Sequence, residues 1–118
     1  MPVEWERNER EAVEVVLSAY PAASGRCFEA ARAVLPIARG RDPVARGWKI
    51  RPRMGRFVVP KQELGQRWFH HFTVEVERHG VDALTGPDGT LWDAYLEAHW
   101  EHPSYLSCTE TDLEDEDR

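Results

Sequence analysis

Cys27, His71 and Asp82 are the residues whose types, order and spacing could carry covalent chemistry in this chain. A thiol hydrolase needs a cysteine held as thiolate, a histidine to exchange its proton and a polar group to orient that histidine. Cys27 follows Ser24-Gly25-Arg26, a helix-start signal with Ser24 or Gly25 as cap, which predicts Cys27 in the first turn of a helix. Unpaired amides and the helix dipole favour a thiolate there, and Arg26 adds positive charge next door. His71 opens the segment His71-Phe72-Thr73-Val74-Glu75-Val76, in which apolar and polar residues alternate as in a strand. Phe72 starts the inward-facing series, so His71 points to the opposite face or sits at the end of the sheet. Asp82 lies in Val81-Asp82-Ala83-Leu84, which reads as the returning strand. With a turn near residues 77–79, His71 and Asp82 come to the same end of a hairpin, where a carboxylate can fix the imidazole tautomer.

Each of these residues also has a plainer reading. Free cysteine is among the residue types most often buried, so on spacing alone Cys27 fits a core position; its order with His71 and Asp82 favours chemistry. His70 competes with His71, but it shares the parity of Phe72 and Val74 and belongs to the core on that pattern. Asp82 also suits a turn with Gly80, and Asp93 is the alternative orienting group, on a helix position facing solvent. Cys108 reads as incidental beside an acidic tail. His79, His99 and His102 read as turn or surface residues, and the five tryptophans as core.

The elements that must position these groups follow from the pattern. Residues 4–20 read as a first helix, with Val13, Val16, Leu17 and Tyr20 at helical spacing and glutamates outside; Pro21 stops it. The second helix carries Cys27, Ala31, Val34, Leu35 and Ala38 on one face, and Pro36 should kink or end it. Trp48-Lys49-Ile50-Arg51 and Arg56-Phe57-Val58-Val59 read as a possible hairpin, and residues 61–68 as a short helical turn. Gly86-Pro87-Asp88-Gly89 is a turn. A last helix spans about Thr90 to Trp100, with Leu91, Tyr95, Leu96 and Trp92 as inward candidates, and Pro103 ends it. The result is an α+β chain with an antiparallel sheet.

Composition sets the bounds. The 118 residues, 42% hydrophobic, fit one globular domain. No apolar run reaches the roughly 18 residues of a membrane span, and the acidic N-terminus lacks the apolar core of a secretory signal. Two distant cysteines suit a reducing compartment rather than a disulfide scaffold. No zinc-ligand spacing is present, so neither metal nor other cofactor is expected. The net charge of −6 is segregated: Thr109 to Arg118 holds six acids and one arginine, while Arg26 to Arg67 holds eleven basic residues and three acids, a net +8. The acidic ends are expected to lie over that basic middle and neutralise it, since charge segregation alone rarely identifies a partner. The arginines lack interleaved aromatics at regular spacing, which disfavours nucleic-acid binding.

The order of a cysteine at a helix start, a histidine at a strand start and an aspartate on the next strand resembles papain-like thiol enzymes and their transglutaminase-like relatives. More narrowly, Cys27-Phe28-Glu29-Ala30-Ala31, His71-Phe72-Thr73-Val74-Glu75-Val76, Val81-Asp82-Ala83-Leu84 and Leu91-Trp92-Asp93-Ala94-Tyr95-Leu96 are similar to the small papain-fold toxin domains of bacterial polymorphic toxin systems. The resemblance covers about residues 24–100. It implies N-terminal helices packed on a small antiparallel sheet, with a C-terminal helix; the single domain is expected over residues 1–108, and the acidic composition of 109–118 reads as a mobile tail. The resemblance also implies a protease, protein deamidase or acyl transferase acting through a thioester. Cys27 is then the nucleophile, His71 the general base and acid, and Asp82 the orienting group. A protein substrate and a cognate immunity protein are the implied partners, and the setting is cytoplasmic or a target cell reached without an N-terminal signal. Papain places an oxyanion-hole glutamine six residues before its cysteine, a position held here by Pro21. The Cys27 amide can supply one oxyanion donor, and Gln62 or Gln66 are candidates for the other. The rival class is a non-catalytic acidic module that binds a protein, such as an immunity protein.

Overall fold

A computed structural model of the chain describes residues 1–62 and 65–114. Helix α1 (Arg7–Ala19) begins at a capping box, in which the Glu6 side chain accepts from the N3 amide and the Glu9 side chain from the Glu6 amide. It turns Val13 and Leu17 inward and leaves Val15 exposed. Helix α2 (Cys27–Arg41) starts at Cys27 as the sequence indicates, but Arg26 is the cap residue and no side chain caps it. The helix runs on through Pro36 to Arg41. Phe28, Ala30, Ala31, Val34, Leu35 and Ala38 bury one face of it, and that burial outweighs the hydrogen bond lost at Pro36.

Strands β1 (Arg46–Pro52), β2 (His71–Val76), β3 (His79–Val81), β4 (Thr90–Leu91) and β5 (Leu106–Thr111) form one antiparallel sheet in the order β4-β3-β2-β1-β5. Helix α3 (Trp92–His99) follows β4. No helix among the described residues is long and apolar enough to cross a membrane.

Three sequence expectations change here. The segments around 48–51 and 56–59 do not pair with each other: β1 lies between β2 and β5, and Val58 makes an isolated bridge to Trp68. No helical turn forms at residues 61–68 among those described. The acidic tail does not begin at Thr109. Thr109–Thr111 pair with Lys49, Trp48 and Gly47, and Leu113 is fully buried. Gly47 permits this, since a Cβ there would stand 2.7 Å from the Leu113 side chain. The reading of residues 115–118 as tail lies outside the described residues.

The sheet has a core on each face, which matters for the site. Helices α1 and α2 cover one face, where Phe72, Val74, Val76 and Val81 pack with Val13, Val34 and Leu113. On the other, Ile50, Val58, Tyr95, Trp100 and Leu106 form a second, aromatic core. The alternation of polar and apolar residues in β2 implied one wet face. Instead His71 and Thr73 are buried beneath the aromatic layer.

Candidate active site

The two cores leave Cys27 and His71 meeting at one end of the sheet. His71 begins β2 opposite Ile50, and Cys27 begins α2, which packs over β2. The hairpin from β2 to β3 is tight: Val76 pairs with His79, and the two residues between, Glu77 and Arg78, both take positive φ. That two-residue turn sets the register that brings Asp82 back to His71.

Asp82 sits one residue past the end of β3, in a turn rather than within a strand. The turn runs on to Thr85 and Gly86, whose amides reach the Asp82 carbonyl, and not back to Gly80, which lies in β3. The Asp82 carboxylate accepts at Oδ1 from the Leu84 amide at 2.8 Å and the Thr85 amide at 3.2 Å. Its Oδ2 accepts from His71 Nε2 at 3.1 Å and from the Tyr95 hydroxyl at 2.5 Å. Four donors fix this carboxylate in place. Gly80, the turn partner expected from sequence, contributes in another way. A Cβ at Gly80 would stand 2.8 Å from the Tyr95 ring, so glycine lets Tyr95 close over the strand and reach Asp82.

The His71 ring is held on its faces as well as at its edge. Trp68 stacks on it with ring centroids 5.5 Å apart, and Trp100 lies 5.0 Å away at a steep tilt. With Nε2 occupied by Asp82, the buried Nδ1 is left without a partner of hydrogen-bond geometry. Cys27 couples to this ring electrostatically, and Cys27, His71 and Asp82 border one small cavity of about 10 Å³. That is on the order of the room one water needs. Catalytic hydrogen bonds are often long before substrate closes the site.

The titration behaviour follows from this packing. Burial opposes charge on Cys27. The neighbouring His71, helped by the Phe72 main-chain amide, outweighs that and holds the thiol below its ordinary value, while the charge of Asp82 works the other way. Burial likewise opposes the imidazolium. The Asp82 hydrogen bond, then Cys27, overcome it and raise His71 to about 9. Asp82 would be raised by burial, but His71, Tyr95 and Thr73 bring it down to about 2. Burial and the neighbouring Asp82 charge push Tyr95 well above the usual phenol range, so its hydroxyl stays protonated and donates. A thiol pushed down beside an imidazole pushed up is the electrostatic pattern of a thiolate–imidazolium pair.

A wider cavity of about 220 Å³ opens on the other side of Cys27, bounded by Ala22, Gly25, Arg67, Trp68, Phe69 and His70. His70 thus lines the approach to Cys27 and is half-buried, whereas parity placed it in the core. Parity does not separate His70 from His71 when both faces of β2 are covered; it is His71 that meets Asp82.

Several secondary readings are revised. His99, taken as a surface residue, is 7% exposed; it receives the Gln62 side-chain amide at Nδ1 and meets the Thr90 hydroxyl at 2.6 Å through Nε2. Burial leads the causes that lower its pKa. Gln62, a candidate oxyanion donor, is therefore engaged by His99. His79 is also buried and ties the Glu77 and Met1 carbonyls. His102, at positive φ and exposed, is a turn residue as expected. Leu91, expected inside, is half exposed, and Asp93 is exposed beside Arg78. Tyr95, Trp68 and Thr73 were not singled out as site residues. The one signal for them was the proximity of Trp68 to His71 in sequence.

Among the described residues, no group of three or more His, Cys, Asp or Glu side chains is arranged to hold a metal ion. In comparisons with known proteins, the chain matches no family model, no curated protein and no solved structure.

Proposed function

We propose that the chain is a papain-like cysteine enzyme acting on a protein amide, as a protease or as a protein deamidase or acyl transferase, in the manner of a bacterial toxin effector. The observation that carries this reading is the His71–Asp82 pair, 3.1 Å apart and buried, with the second ring nitrogen left to Cys27. In this reaction the Cys27 thiolate attacks the carbonyl carbon of the amide. A C–S bond forms, and the tetrahedral oxyanion is met by the Cys27 amide, which in the first turn of α2 has no intrahelical partner. The C–N bond then breaks as the His71 imidazolium gives its proton to the departing amine or ammonia. His71, now neutral, takes a proton from water, which hydrolyses the thioester to a carboxylic acid; in transfer, an amine takes the place of that water. Asp82 keeps one tautomer and stabilises the imidazolium throughout.

The test is acyl trapping. Incubation with p-nitrophenyl acetate should give a hydroxylamine-labile acyl adduct on Cys27 by peptide mass mapping, absent in Cys27→Ala and slowed in His71→Ala. Acylation spread over surface lysines, with none on Cys27, would remove this reading. The second reading, a non-catalytic acidic protein that binds a partner, has its own support in the outer face of α1, where Glu11, Glu14 and Val15 are exposed together. It would then take the lead.

A further inference from the structure

Charge pairing divides the molecule. Around the helical layer, arginines have carboxylate partners: Arg10 with Asp88, Arg26 with Glu29, Arg41 with Glu9 and Glu77, and Arg46 with Glu75 and Glu110. Arg32 reaches Glu114, so the acidic ends do cover part of the basic middle. They do not cover all of it. Residues 51–67 contain Arg51, Arg53, Arg56, Lys61 and Arg67 against the single acid Glu63. Among the described residues, none of these four arginines has a carboxylate within ion-pair distance. Arg53 donates to the Ser104 carbonyl and Lys61 to the Glu97 carbonyl; of the others, Arg67 lies at the site, and Arg56 precedes Phe57, over whose ring the Arg67 guanidinium rests.

Arg67 lies at the wall of the cavity beside Cys27. Its guanidinium rests over the Phe57 ring at 5.3 Å, and that ring lies 5.4 Å from Phe69. Phe69 is 73% exposed and lines the same cavity. Arg56 adjoins Phe57 and is exposed. The rim of the cavity thus carries Arg67 beside the apolar Phe69, with Arg56 the exposed cation next in the chain to Phe57, and among the described residues neither arginine has a carboxylate within ion-pair distance. Stacking pre-orders the Arg67 fork, which lowers the entropy lost when a carboxylate binds it.

We infer that this rim selects acidic polypeptide segments: carboxylates of the substrate meet Arg56 and Arg67, an apolar side chain rests on Phe69, and the amide to be attacked reaches Cys27. This rests on Cys27 being the nucleophile. A polypeptide fits better than nucleic acid. A single strand needs a cationic groove that follows several phosphates, whereas here one arginine lines the cavity and a second adjoins it through Phe57.

The test uses two N-chloroacetyl peptides of equal length with phenylalanine beside the reactive group, one flanked by glutamates and the other by glutamines. Their rates of alkylating Cys27 are compared as a ratio within each protein. Wild type should prefer the glutamate peptide about fivefold at low salt. The preference should collapse toward one at about 0.5 M salt and in the Arg56→Gln/Arg67→Gln variant, whose exposed positions make loss of the fold an unneeded explanation; circular dichroism checks this. A ratio near one in wild type at low salt, or one unmoved by the double substitution, overturns the inference. If iodoacetamide also fails to label Cys27 in the folded protein, it is the nucleophile reading that has failed. Fluorescence anisotropy of the same labelled peptides on Cys27→Ser then decides the surface alone: absence of a salt-sensitive glutamate preference overturns it. Tighter binding of a single-stranded oligonucleotide than of the glutamate peptide overturns it in favour of nucleic acid.

Discussion

Cys27 and Cys108 are both half-buried free thiols, yet their surroundings drive them in opposite directions. Cys108 is on β5 opposite Ile50 and packs against the aromatic core. Burial is its sole resolved influence, and it pushes the thiol up to about 11. Cys27 pays the same kind of desolvation cost but has His71 beside it, and its thiol is held below the ordinary value. The difference is not exposure. It is the buried chain from Cys27 through His71 to Asp82 and Tyr95, which turns an inert thiol environment into one suited to a thiolate.

That contrast can be broken at its far end. Asp82→Ala removes the charge facing a fully buried imidazole and leaves the Leu84 and Thr85 amides and the Tyr95 hydroxyl without an acceptor. It should cost on the order of 3–5 kcal/mol of stability, read by urea unfolding, and Cys27 should then behave like Cys108.

The same pair makes stability depend on pH. Asp82 has a folded pKa below its unfolded one, so its contribution is present above about pH 4 and is lost as pH falls toward about 2. His71 has a folded pKa raised to about 9, so its contribution is complete below about pH 6.5 and fades as pH rises through about 9. Cys27 has a folded pKa below its unfolded one, so its contribution is present above the unfolded thiol value and is lost as pH falls, which offsets the change at His71. Unfolding at a series of pH values should therefore show a loss on the order of 2 kcal/mol as pH falls below about 4 and, once Cys27→Ala removes the offset, a loss above about pH 6.5. A Cys27→Ala profile that stays flat from about pH 5 to 10 would contradict the pairing of His71 with Asp82.

Asp82→Asn sharpens the comparison, since it keeps the shape and removes the charge. Alkylation of Cys27 near pH 6 should slow by about tenfold, corresponding to about one pKa unit, with little change at Cys108. Tyr95→Phe removes one of four donors to Asp82 and should cost about 1 kcal/mol of stability, with a few-fold slowing at Cys27. Cys108→Ala should be the mildest, below about 1 kcal/mol, and should leave the Cys27 profile unchanged.

Much of this arrangement was legible in the sequence because it is local. The break at Pro21 and the Ser24-Gly25-Arg26 start put Cys27 at the head of α2, and the spacing from His71 to Asp82 matched a tight hairpin. What was not legible depended on the second face of the sheet. Nothing in the alternation of β2 says that Trp68, Tyr95 and Trp100, from an irregular segment and from α3 with its C-cap, will cover His71 and Thr73. The strand at residues 106–111 was hidden by its charge: Thr109, Glu110 and Thr111 read as tail, yet an edge strand tolerates polar and charged side chains while its backbone pairs with β1. His99 was misread for the same reason, since a histidine in the last turn of a helix is indistinguishable in sequence from an exposed one until Gln62 and Thr90 arrive from elsewhere in the chain.

The most direct test is the pH dependence of iodoacetamide alkylation at Cys27, mapped by peptide mass in wild type and His71→Ala, with Cys108 as the internal control. The account predicts that Cys27 in wild type labels faster than Cys108 and keeps labelling below the pH at which an ordinary thiol, with a pKa near about 8.5, has lost most of its thiolate. In His71→Ala that advantage should be lost, and Cys108 should stay slow in both. Equal slow labelling of Cys27 and Cys108 in the folded wild-type protein, unchanged by His71→Ala, would mean that Cys27 is a core residue and that the chain has no thiolate–imidazolium pair.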